Sequence, residues 1–217
     1  SSAASDVYKR QGPMSIILKA KAEIPRTTTA GLDTVAIRFP DHEIARAIIA
    51  EAGVPIAAPS ANLSGRPSPT NFRDCYNDLK DKDVYVFEGG ETDIGIESTV
   101  ILCTSYPPQI LRPGKIDAEA IKRVVGDVIV GAVDKTVVRS PGQKYGHYMA
   151  KKPTLLLDMS PEDADQLLEK IKPNAIFISA EENKYQAKEN IVIGSYFDPD
   201  QAAKHYFKSL RLSLIHI

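Results

Sequence analysis

Between residues 16 and 125 the chain alternates two kinds of segment, and this alternation restricts its fold more than any other feature. Short β-branched or apolar runs end at proline or glycine, and amphipathic stretches follow them. Ile16-Ile17-Leu18 comes after Gly12-Pro13 and reads as a strand. Thr34-Val35-Ala36-Ile37-Arg38-Phe39 alternates in part, stops at Pro40 and reads as another. Asp41 is then placed to cap a helix. Its Ile44, Ala45, Ile48, Ile49 and Ala52 share one face, and Gly53 supplies the stop. Residues 54–58 have the length and composition of a buried strand. Residues 59–70 hold three prolines, three serines and one glycine, and form a loop. Thr70 is placed to cap a second helix reaching about Leu79. Residues 84–88 read as a strand before the glycine-bearing loop 89–95. Residues 99–103 and 109–111 are strands separated by a Pro107-Pro108 turn, and Asp117 opens a helix to about Val125. Strands alternating with helices predict an α/β domain.

The alternation breaks after residue 130. Residues 131–153 lack an apolar period and read as a linker. A second β-α-β pattern follows: a strand at 155–157, a helix started by Ser160-Pro161-Glu162, and strands at 175–178 and 191–193. A last helix starts from Asp198. The two ends do not fit either pattern. Residues 1–11 have no periodicity, and with residues 211–217 they resemble peptides translated from sequencing-adapter DNA at contig edges. The expected organisation is a non-native peptide at 1–11, a first domain at 12–130, the linker at 131–153, a small α/β domain at 154–210 and a non-native tail at 211–217. Both domains are expected to be incomplete.

Composition narrows the classes of function. The chain has 27 basic and 28 acidic residues, a formal net charge of −1, so it lacks the basic excess of a protein that grips nucleic acid by charge neutralisation. No apolar run approaches the roughly 20 residues that span a bilayer. Cys75 and Cys103 form no CxxC and stand near no histidine cluster, so two reduced cysteines in a cytoplasmic protein are expected.

None of the common nucleotide-binding, metalloprotease or serine-hydrolase signatures is present. The candidates for chemistry are therefore the loops at strand ends, where α/β sheets place their ligands. The loop from Pro59 to Thr70 leaves a strand and enters a helix N-terminus, where hydroxyls and backbone N–H groups favour an anion. The alternative is that its serines and asparagine only satisfy turns and caps. Gly95-Ile96-Glu97-Ser98-Thr99 presents a hydroxyl at a strand edge, or is merely a polar hairpin. Arg38 and Arg112 end apolar strands, where a guanidinium needs an anionic partner, either an internal carboxylate or a substrate. Lys144, Tyr145, His147 and Tyr148 place aromatic and basic groups in the polar linker, to dock on a ligand or on a neighbouring domain.

Five ordered motifs then carry a resemblance. They are residues 29–38 (TAGLDTVAIR), Ala58-Pro59-Ser60-Ala61-Asn62 through Ser68-Pro69-Thr70, Gly95 to Thr99, Leu111-Arg112-Pro113-Gly114, and the linker's 140–148 (SPGQKYGHY). Together they resemble the YrdC-like threonylcarbamoyl-AMP synthases of the longer, two-domain type. The resemblance implies a twisted mixed sheet with flanking helices, then a linker and a small Rossmann-like α/β domain. It implies an enzyme that condenses L-threonine, bicarbonate and ATP into threonylcarbamoyl-AMP and pyrophosphate, for delivery to a tRNA-modifying threonylcarbamoyltransferase. By motif match, Arg38, the backbone of Ala58, and Ser98 contact L-threonine. Thr34, Ser60, Asn62, Ser68, Arg112 and Tyr145 contact ATP, with Mg²⁺ expected because ATP is the substrate. The linker is expected to close over the nucleotide.

Family members carry a Lys-x-Arg segment and a threonine-rich strand end ahead of the position of Gly12, and neither is found here. The chain is therefore expected to be an inactive fragment. Gln143 and Gly146 also depart from the linker pattern. Two other readings stay open: a carbamoyl-transfer YrdC-like domain of the hydrogenase-maturation type, and a non-catalytic RNA-binding module.

Overall fold

The computed structural model describes residues 12–131, 160–171, 176–183 and 189–215. They fall into two compact units. One takes the chain up to Pro59 and again from Glu97; the other takes residues 60–96 and the chain from Gly146 onward. The expected strand at 155–157, Tyr145 and nearly all of the linker lie outside the described residues.

The first unit is built on a five-stranded mixed sheet in the order β2-β1-β3-β4-β5. Its strands are β1 (Met14–Lys19), β2 (Thr34–Arg38), β3 (Thr99–Leu102), β4 (Gln109–Arg112) and β5 (Ile129–Val130). Strand β1 lies antiparallel to β2 and parallel to β3, so it is paired on both sides. Strands β3 and β4 are antiparallel, as a short turn between them requires. Ile16, Ile101 and Ile110 share a row across β1, β3 and β4. They meet Ile121 of helix α3 (Ala118–Val125), with Met14, Ile116 and Val128 packed around them. Asp117 caps α3 as its position predicts, accepting from the Ala120 N–H at 2.7 Å. Thr99, wholly buried, ties the sheet to this helix's approach. Its hydroxyl donates to the Ile116 carbonyl at 2.8 Å and accepts from the Ile116 N–H at 3.2 Å.

Helix α1 (Glu43–Ala52) ends at Gly53, whose φ of 64° supplies the left-handed stop. It begins one residue later than expected. His42, not Asp41, accepts from the Ala45 N–H, because a cap side chain must reach the amide three residues on. No residue of α1 is buried, although its apolar face is well formed. Residues 54–58 are not a buried strand. They pair with no strand among the described residues, and Val54 is 61% and Ile56 48% exposed.

In the second unit, helix α2 (Phe72–Leu79) is capped by Asn71, which accepts from the Asp74 N–H at 2.9 Å. Thr70, expected as the cap, is buried instead, and its carbonyl accepts from the Thr92 N–H. Residues 84–88 form no strand, and Tyr85 is 94% exposed. A two-stranded parallel sheet of β6 (Ile176–Ala180) and β7 (Glu189–Gly194) carries the rest. Helix α4 (Pro161–Ile171) is started by Ser160, whose hydroxyl oxygen accepts from the Asp163 N–H. Helix α5 (Pro199–Ile215) is started by Asp198 and packs against β7 and β6.

Candidate functional site

One face of the first unit's sheet collects four of the residues singled out by sequence: Thr34, Arg38, Ser98 and Arg112. Side chains directly opposite in adjacent strands share a face. Arg38 of β2 stands opposite Ser15 of β1, Ser15 opposite Val100 of β3, and Val100 opposite Arg112 of β4. Ser98, two residues before Val100, belongs to the same face by the period of two.

Arg112 reaches this face because of an irregularity. Ile101 pairs with Ile110, but the next partner of Val100 is Arg112 rather than Leu111. The ladder slips by one residue, and a one-residue slip turns a side chain to the other face. Without it, Arg112 would point with Ile101 and Ile110 into the apolar core. With it, the guanidinium crosses to the β3 edge. Its Nε donates to the Ser98 carbonyl at 3.0 Å, and its Nη2 to the Ser98 hydroxyl at 3.1 Å. Its Nη1 pairs with Glu97 at 2.8 Å. The Ser98 hydroxyl also stands 3.3 Å from that of Ser15.

Glycine makes this turn possible. A Cβ on Gly114 would stand 2.5 Å from both the Glu97 carbonyl oxygen and the Thr99 nitrogen, so only glycine lets the two backbones approach. The Leu111-Arg112-Pro113-Gly114 motif thus supplies the guanidinium and the clearance beneath its partner.

Arg38 has no carboxylate partner among the described residues. It is exposed in outline, yet partial desolvation, followed by repulsion from the Arg112 guanidinium, holds its pKa below the usual arginine value. An arginine with a second arginine on its face and no anion of its own fits an incoming carboxylate. Thr34, at the other end of β2, shares Arg38's face by its even spacing. Ala58 is exposed in the unpaired stretch that ends this part of the unit.

Ser60, Asn62 and Ser68 belong to the second unit. Ser60 is exposed, while Asn62 and Ser68 are half-buried. The Asn62 amide donates to the carbonyls of Leu63 at 2.9 Å and Arg66 at 3.1 Å, folding the loop back on itself. Its Oδ1 is buried and has no partner among the described residues. The loop is pinned from below by Asp78 of α2, whose side chain is 1% exposed. Asp78 accepts from the Leu63 N–H at 3.4 Å, and from Arg66 and Arg211 at 2.7 Å each. Arg211 also donates to the Pro67 carbonyl. Burial alone would raise the Asp78 pKa, but the bonds from Arg211 and Arg66 outweigh it and hold the carboxyl below its usual range.

Ser15, Glu97 and Asp78 were not expected from sequence. Ser15 is a lone hydroxyl in an apolar strand, and its contact spans 83 positions. Glu97 stood inside a candidate motif, but only the slip in β4 shows what it pairs with. Asp78 reads as an ordinary polar helix residue. Among the described residues no group of three or more His, Cys, Asp or Glu side chains is placed to hold a metal ion.

Fold and site define an α/β protein with an anion-receptive sheet face. The comparisons with known proteins make this more specific. The Sua5/YciO/YrdC family, described as "Telomere recombination", matches residues 1–114. The family described as "Threonylcarbamoyl-AMP synthase, C-terminal domain" matches residues 116–213. The threonylcarbamoyl-AMP synthase of Pyrococcus abyssi is 38% identical over 210 residues, covering 92% of this chain and 61% of the relative. That of Bacillus subtilis is 46% identical over 163 residues, covering 73% of this chain and 47% of the relative. A crystal structure of P. abyssi Sua5 complexed with L-threonine superposes with a TM-score of 0.83 at 35% identity, covering 99% of this chain and 66% of that one. The chain belongs to the two-domain, YrdC-like threonylcarbamoyl-AMP synthase family. It spans about half to two thirds of the length of these relatives.

Proposed function

We propose that the protein acts as an L-threonylcarbamoyladenylate synthase, forming threonylcarbamoyl-AMP and pyrophosphate from L-threonine, bicarbonate and ATP. The observation that carries this reading is the sheet face on which Arg38, without a carboxylate partner among the described residues, and bonded Arg112 flank the Ser15 and Ser98 hydroxyls. It is supported by a similar protein whose solved structure is described as complexed with L-threonine.

Threonine is assigned to Arg38, the backbone of Ala58, and Ser98. Arg38 takes the carboxylate, which leaves the amino group to attack the carbon of bicarbonate and form a carbamate with loss of water. ATP is assigned to Thr34, Ser60, Asn62, Ser68, Arg112 and Tyr145. A carbamate oxygen then attacks the α-phosphorus, and pyrophosphate leaves. Such a step needs positioning and charge stabilisation rather than a covalent nucleophile. Arg112 suits it, because Glu97 and Ser98 fix the guanidinium before substrate arrives. Magnesium enters with the triphosphate as part of the substrate. The product passes to a threonylcarbamoyltransferase that modifies tRNA, which places the protein in the cytoplasm. Among the described residues no helix is long and apolar enough to cross a membrane.

The test is pyrophosphate release from ATP by the full gene product, with threonine and bicarbonate each omitted in turn. Release is expected to require both. Turnover indifferent to threonine overturns the reading.

A further inference from the structure

The hydroxyl pair beneath the two arginines has one proton too many for its protein partners. Each serine hydroxyl owns one proton and two lone pairs, and a guanidinium only donates. Arg112 fills one lone pair of Ser98. The bond between Ser15 and Ser98 consumes a single proton, whichever hydroxyl gives it. Two protons enter the relay and one is used, and neither hydroxyl has a further acceptor among the described residues.

The direction of the relay follows from its charged end. A hydroxyl that accepts from a guanidinium is polarised and becomes a stronger donor. Ser98 therefore gives its proton to Ser15, and the surplus proton sits on Ser15. Ser15 is on β1, directly opposite Arg38. The sheet thus sets an unused O–H donor beside a guanidinium that has no carboxylate partner among the described residues, on the same face. An oxyanion with two oxygens satisfies both.

We propose that Ser15 is a substrate-binding residue, donating through its hydroxyl to the amino-acid carboxylate that Arg38 holds. This rests on the threonine assignment above and extends it to a residue outside the recognised motifs. The Arg112–Ser98–Ser15 relay also joins the nucleotide-side arginine to the amino-acid side, so losing Ser15 is felt mainly in threonine binding.

The experiment compares Ser15→Ala and Ser15→Thr with the unaltered full gene product. KM is measured separately for L-threonine and ATP, alongside threonine titration calorimetry without ATP and thermal unfolding. One hydrogen bond to a charged group corresponds to roughly a 10- to 150-fold change. Ser15→Ala is expected to raise the threonine KM and Kd by about that factor, leaving the ATP KM within twofold. Ser15→Thr keeps the hydroxyl and suits a strand, so it is expected to restore threonine binding. A purely structural role would lower the melting temperature and move both KM values together, which overturns the proposal. So does a threonine Kd unchanged in Ser15→Ala. If the unaltered protein shows no threonine-dependent turnover and no threonine binding, the broader functional reading has failed. If it binds threonine and Ser15→Ala binds it equally well, only the role of Ser15 has failed.

Discussion

At the scale of single residues, one arginine and one aspartate carry the testable chemistry. Arg38→Lys keeps the charge but replaces a planar fork with a point donor. In the full gene product the threonine kcat/KM is expected to fall about 10- to 150-fold, matching the loss of roughly 1.5–3 kcal/mol for a charge-assisted contact. Arg38 is exposed, so the melting temperature should hold. A folded Arg38→Lys protein with unchanged threonine kinetics removes Arg38 from the site. Asp78 is different, because its carboxylate is buried between two guanidiniums. Its pKa lies below the usual aspartate value, so its contribution is present above about pH 3.9 and is lost as pH falls through the depressed folded value. Removing one partner of a buried pair costs about 3–5 kcal/mol. In this 217-residue chain, which includes Arg211, Asp78→Asn should lower the urea midpoint at pH 7 and lose that deficit in strong acid. A deficit that persists unchanged to the lowest accessible pH argues against the ion pair as its source. Arg38 and Arg112 stood out in the sequence because a guanidinium at the end of an apolar strand needs an anion, and Arg112 finds the internal alternative in Glu97. Ser15 and Asp78 did not stand out, since neither has a local pattern: the Ser15 partner is 83 positions away, and those of Asp78 are 12 and 133 away.

At the scale of elements, the arrangement of the site depends on a slip in one short ladder and the glycine beneath it. Sequence placed β4 and α3 closely, since the Pro107-Pro108 turn and an aspartate cap are local signals. It could not show that β4 slips by one residue against β3, because register is a property of the pair. The caps show the same limit on a smaller scale. Asp41 and Thr70 are good cap residues, yet His42 and Asn71 occupy the geometry, each one residue on. Gly114→Ala tests the turn directly. The new methyl must displace the backbone at Glu97 or Thr99. Overpacking of this kind costs about 1–3 kcal/mol. Here it should also detach Ser98 from Arg112, so kcat is expected to fall more than the stability change alone explains. An active, equally stable Gly114→Ala protein would show that the 97–99 backbone has room to move.

At the scale of the whole molecule, the residues that looked most like core are not all used as core. Residues 54–58 and 84–88 carry the β-branched and aromatic composition of buried strands, and α1 carries a clean apolar face. Composition states that a segment is able to join a sheet. It does not supply the neighbour that satisfies the backbone, and a strand exists only once paired. Residues 16–17 and 100–101 have such neighbours on both sides. Residues 54–58 have none among the described residues, and Tyr85 and Phe87 stand 94% and 77% exposed. The two classes of segment should therefore separate in amide hydrogen exchange on this 217-residue chain. Amides of β1 and β3 are expected to open only with global unfolding, while those at 54–58 and 85–87 exchange within orders of magnitude less time. Unpaired edges with exposed apolar side chains also invite association, so light scattering should rise with concentration and the dye ANS should bind. Protection at 54–58 equal to that of β1 would mean that these amides are paired in solution, and that the strand read from their composition forms after all.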